Sequence, residues 1–102
     1  MGELPSRREA WLLQQNPAHY TLQLVAGAHR ETIEKFIREH KLKNDQLALY
    51  QTTRNGKPWY GLVSGDYANK QRAIDARSRL PDPLRRLNPW VRPFADIQKD
   101  LR

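Results

Sequence analysis

Cysteine is missing from all 102 residues, so no disulfide and no thiolate metal site is available, and either redox compartment is open. No apolar run approaches the ~18 residues that span a bilayer. The amino end carries no signal-peptide pattern. Hydrophobic residues make up only 38% and charged ones 28%, which fits one domain with a small core and a heavily solvated surface. Acidic side chains are also in short supply, 11 against 18 basic ones, for a net charge of +7. The deficit is uneven. Residues 1–69 hold nine basic and seven acidic side chains, whereas residues 70–102 hold nine and four. A surplus of this kind suits an anionic partner such as nucleic acid, anionic lipid or an acidic polysaccharide, although it also serves plain solubility.

What is present falls into alternating elements. Ser6-Arg7-Arg8-Glu9 has the form of a capping box, and a short helix is expected from Arg7 to Gln15, ending before Asn16-Pro17, with Trp11, Leu12 and Gln15 to dock it on the domain. Tyr20–Val25 alternates as a strand that Gly27 ends, and Arg30–Lys41 places Ile33, Phe36, Ile37 and His40 on one helical stripe. Leu47–Arg54 and Pro58–Ser64 read as two strands joined at Asn55-Gly56, a pair that suits the positive φ angles of a type I′ turn. Asn69 is placed to cap a helix running to Leu80 with Ala73, Ala76 and Leu80 inward, and Pro81-Asp82-Pro83 ends it. Asn88–Arg92 is a short edge strand, and Pro93 opens a last helix carrying Phe94, Ile97 and Leu101. Without its end helices the order is βαββαβ, an α+β domain in the split βαβ (ferredoxin-like) arrangement: a four-stranded antiparallel sheet with two helices on one face. Residues 1–17 are expected to form a tail and flanking helix, and residues 18–102 the domain with its carboxyl-terminal helix.

Alternation then sorts the side chains. Tyr20, Leu22 and Leu24, Leu47 and Leu49, and Tyr60 and Leu62 should face the two helices. Thr21, Gln23 and Val25, Ala48, Tyr50 and Thr52, and Trp59, Gly61 and Val63 should face away. Trp90 and Arg92 share one face of the last strand, where Arg92 can reach a carboxylate and Trp90 can stack or pack. An outward set of Gln23, Tyr50, Thr52, Trp59 and Gly61 suits a flat ligand: rings to stack on, an amide to donate and accept, and a glycine that leaves room for close approach. The bland alternative is that an end helix covers this face and Trp59 packs beneath it.

Catalysis is not expected. Glycoside hydrolysis needs two flanking carboxyl groups, and no outward strand position carries one; Asp45 and Asp66 sit at strand ends. His19, His29 and His40 lack metal-ligand spacing, so neither a metal nor another cofactor is implied. No phosphate loop, nucleophile elbow or dinucleotide fingerprint appears. An RNA-recognition motif would also use an open sheet, but "KPWYGLVS" has proline where that motif's first glycine stands and lacks its Phe-Val pair. RNA or DNA binding through the same face is the alternative reading, and a protein partner docking on Trp59 is a third.

Residues 18–94 resemble a SPOR (sporulation-related repeat) domain. The likeness rests on "YTLQL" at Tyr20–Leu24 and on "RNGKPWYGLVSGDYANKQRA" from Arg54 to Ala73, where Trp59, Tyr60, Val63, Gly65 and Tyr67 form the most recognisable segment. The tail "NPWVRPFADIQKDL" narrows it to a cell-division member of that family. The resemblance implies non-catalytic binding of septal peptidoglycan strands stripped of their stem peptides. It also implies a monomeric periplasmic domain of a single-pass inner-membrane protein, with other division proteins as further partners and no membrane contact within this segment. Gln23 and Trp59 match that family's sheet-face ligand contacts; Tyr50 and Thr52 join them by alternation. Val25-Ala26-Gly27-Ala28 departs from the hydroxylated residues of the family at that loop, so no side chain there donates, while Gly27 can still present its backbone N–H.

Overall fold

A computed structural model describes residues 9–42 and 46–101; the start of the Ser6–Glu9 capping box and Asp45 lie outside them. The order of elements is α1 (Glu9–Gln14), β1 (Tyr20–Gly27), α2 (Arg30–Glu39), β2 (Leu47–Arg54) and β3 (Lys57–Tyr67). These are followed by α3 (Lys70–Ser78), α4 (Asp82–Arg85), β4 (Trp90–Pro93) and α5 (Phe94–Asp100). The four strands form one antiparallel sheet in the order β2-β3-β1-β4. The β2–β3 hairpin turns on Asn55 and Gly56 at φ values of 55° and 78°, the left-handed pair that a type I′ turn demands.

Two cores lie on the two faces. Beneath α2 and α3, Leu22, Leu24, Ile33, Ile37, Leu47, Leu49, Leu62 and Ala73 are buried together, with Tyr60 packed at their margin. Asn69 caps α3 by accepting a hydrogen bond from the Arg72 N–H at 2.9 Å. On the opposite face a second cluster joins Leu12 of α1 and Phe94 and Ile97 of α5 to Ala48, Tyr50 and Val63 of the sheet. The Gln98 amide donates to the carbonyls of Leu12 and Gln15 at 3.0 and 2.8 Å and ties the two terminal helices together. The second face is thus covered over part of its area and open over the rest.

Three details depart from the sequence reading. A bulge in β1 sets Gln23 opposite Val63 but Val25 opposite Leu62, so one extra residue is accommodated between them. Val25, expected to face away from the helices, therefore packs with Leu24 on the helix-side core, and the alternation beyond it is reversed. Residues 82–85, expected only to end α3, form the short α4, because a proline near a helix start sacrifices no hydrogen bond. The last strand begins at Trp90 rather than Asn88, whose φ of 53° makes it a turn residue.

Candidate functional site

The open part of the second face is a groove of about 360 Å³. Its floor and walls come from all four strands. Tyr50 pairs with Gly61 and Gly61 with Ala26 across β2, β3 and β1; Val63 pairs with Gln23 and Gln23 with Trp90 across β3, β1 and β4. The bulge is what turns Ala26 onto this face. Thr52 and Trp59, partners at the hairpin end of β2 and β3, complete one side, with Thr53 and Arg54 beyond them. Arg92 and Asp100 line the groove near Trp90.

Each groove tryptophan carries an arginine. The Arg54 guanidinium lies 4.6 Å from the centre of the Trp59 ring, and that of Arg92 lies 4.6 Å from the Trp90 ring. Such stacking orients a guanidinium without occupying its in-plane donors. The two arginines differ in everything else. Arg92 is buried, its side chain only 8% exposed, and donates to Gln23 Oε1 at 2.7 Å, Tyr50 Oη at 3.1 Å and Asp100 Oδ2 at 3.2 Å. Its Nε–H is buried without a partner among the described residues. Arg54 is exposed and has no carboxylate partner among the described residues.

These contacts fix the Gln23 amide. Its Oε1 accepts from Arg92 and, at 3.4 Å, from the Tyr50 hydroxyl. An arginine can only donate, so the oxygen must be the atom facing it and the amide nitrogen points the other way. Tyr50 is held neutral: burial pushes its pKa above the usual tyrosine value, against a smaller downward pull from Arg92. The Thr52 hydroxyl donates to the Asp100 carbonyl at 2.7 Å, which pins the end of α5 to the sheet.

A family profile for the SPOR domain matches residues 16–93. The chain belongs to the SPOR family. It is similar to the cell division protein DamX of Serratia marcescens, with 42% identity over 85 residues, 83% of this chain and 39% of that protein. It therefore spans well under half the length of that relative. In this SPOR domain the structure gathers Gln23, Tyr50, Thr52, Trp59, Trp90 and Arg92 around one groove, six of the seven residues singled out from sequence. Trp59 lies on the groove face and its neighbour Tyr60 packs toward the helices, as alternation requires.

The seventh residue, Gly61, serves a protein ring. A Cβ built there would stand 2.6 Å from Tyr50 Cζ, so the room left by the bare glycine is filled by Tyr50. Tyr50 itself is 2% exposed and acts as a supporting residue under α1 and α5 instead of an open platform. Trp90, by contrast, is 59% exposed and open to a ligand. Arg92, read from sequence as able to reach a carboxylate, already holds Asp100. Sequence reasoning missed Ala26, Thr53, Arg54 and Asp100. Arg54 was within its reach, two residues beyond Thr52 on the same strand; Asp100 was not, because only the landing of α5 brings it there.

Proposed function

We propose that this SPOR domain binds peptidoglycan without catalysis, and that its ligand is the glycan strand lacking stem peptides, laid in the groove between Trp59 and Trp90. Recruitment of a longer protein to the bacterial division site, in the periplasm, would follow from that binding. The observation that carries the reading is the pairing of two tryptophans with two arginines around one amide, Gln23. Sugar rings present flat apolar faces that stack on aromatic rings, and their hydroxyl and acetamido oxygens accept from amide donors. Among the described residues the groove lining contains one carboxylate, Asp100, and it is already paired with Arg92, so these residues do not assemble the two free carboxyl groups of a glycosidase. Nucleic acid is not favoured. The central aromatic of the face, Tyr50, is buried beneath the terminal helices and cannot serve as a base-stacking platform.

Co-sedimentation with sacculi tests the reading. The domain should pellet more with sacculi enriched in peptide-free strands by an amidase than with untreated ones. Trp59→Ala should lose at least tenfold in affinity, ~1.4 kcal/mol or more, while still unfolding cooperatively. A wild-type domain that stays in the supernatant with both preparations contradicts the proposal.

A further inference from the structure

The two groove arginines divide their work. Building on the glycan reading above, we propose that Arg54 is the receptor for the free carboxylate of the strand, and that Arg92 orients Gln23 without touching ligand charge. A glycan strand acquires that carboxylate when an amide-linked peptide is cut from it; the amide carries no charge, the product does. A residue that pairs with the carboxylate therefore reads whether the peptide has been removed.

Arg92 is committed elsewhere. Its terminal nitrogens are bonded to Gln23, Tyr50 and Asp100, and its side chain is nearly inaccessible. A ligand carboxylate there would have to displace Asp100, exchanging one ion pair for another with no net gain. Arg54 has none of these commitments among the described residues. It ends β2, lines the groove, and sits over the Trp59 ring at 4.6 Å from its centre. A stacked guanidinium is pre-organised for a bidentate carboxylate contact, so less side-chain freedom is lost on binding.

Among the described residues, the carboxylates along β2 and the groove are already engaged: Glu9 accepts from the Gln51 N–H at 3.0 Å and Asp100 pairs with Arg92 at 3.2 Å. Between Gln46 and Gly65 the sequence has no aspartate or glutamate. Across the turn the strand partner of Arg54 is Lys57, a cation, so the pairing supplies no counter-charge to the guanidinium. Gln23 adds to the same preference, because its fixed amide directs donors, not an acceptor, away from Arg92. The site is thus arranged to meet acceptors, with its unpaired positive charge at the hairpin end.

The test uses peptide-free glycan strands and the same strands with their carboxylates reduced to alcohols, titrated against the whole domain. Wild type should bind the carboxylate form about tenfold more tightly than the reduced form, ~1.4 kcal/mol. Arg54→Gln should bind both forms alike, near the wild-type affinity for the reduced strand. Lys57→Gln, which removes the same charge from outside the groove, should keep the wild-type preference. The assignment is overturned if Arg54→Gln discriminates as wild type does, if Lys57→Gln loses the preference equally, or if wild type does not distinguish the strands. Binding of neither strand by wild type overturns the glycan reading itself, and this inference falls with it.

Discussion

Gly61 and Tyr50 form a lock in which one residue's lack of a side chain admits the other's ring. Because a Cβ at position 61 would overlap three Tyr50 atoms at 2.6–2.7 Å, and Tyr50 is enclosed by α1 and α5, the ring has little room to move. Gly61→Ala is expected to destabilise the fold by about 1–3 kcal/mol, measured by urea denaturation. The Tyr50 hydroxyl gives a second test. Its pKa is raised in the folded state, so above pH ~10 the unfolded chain releases that proton first and stability falls as pH rises toward the folded value. Tyr50→Phe should cost about 0.5–1.5 kcal/mol at neutral pH. The gap to wild type should narrow above pH ~10, where only the wild type has that proton to lose; a constant gap would contradict this. At this scale the sequence was informative but incomplete. Period two put Gln23, Tyr50, Thr52 and Trp59 on one face, yet no single-residue signal separates a buried aromatic such as Tyr50 from an open one such as Trp90.

The terminal helices decide how much of the sheet is open. Their apolar stripes were legible: Leu12 in α1, and Phe94, Ile97 and Leu101 in α5. Their target was not, because burying Ala48, Tyr50 and Val63 is a matter of tertiary packing that leaves no local pattern. Gln98 connects the two helices through the Leu12 and Gln15 carbonyls, which would otherwise lose those donors. Gln98→Ala is therefore expected to cost about 1–3 kcal/mol, and Leu12→Ala, at a fully buried site, about 2–5 kcal/mol. Both should raise amide exchange in α1 and α5 before they affect α2 and α3, and a uniform rise would show that the caps are not a separate layer. The β1 bulge was hidden for a different reason. Leu24 and Val25 are both apolar, so either could satisfy the helix-side core, and strict alternation chose only one.

As a whole the molecule is a sheet with two unequal faces. One is sealed by α2 and α3. The other is half closed by α1 and α5, and the remaining half is a groove edged by Arg54–Trp59 and Trp90–Arg92. Fold class and element order were readable because the apolar periods of 2 and 3.6 switch cleanly along the chain. The division of the second face was not, since it depends on where chain ends return. Among the described residues no helix is long and apolar enough to cross a membrane. Glycan bound on this half-open face is to be located by nuclear magnetic resonance of the isotopically labelled domain, titrated with peptide-free glycan fragments. Shifts should concentrate on the indole N–H groups of Trp59 and Trp90, the Gln23 side-chain amide and the Arg54 guanidinium, with α2 and α3 unmoved. Shifts concentrated on the helix-covered face, or none at saturating glycan, would contradict the account.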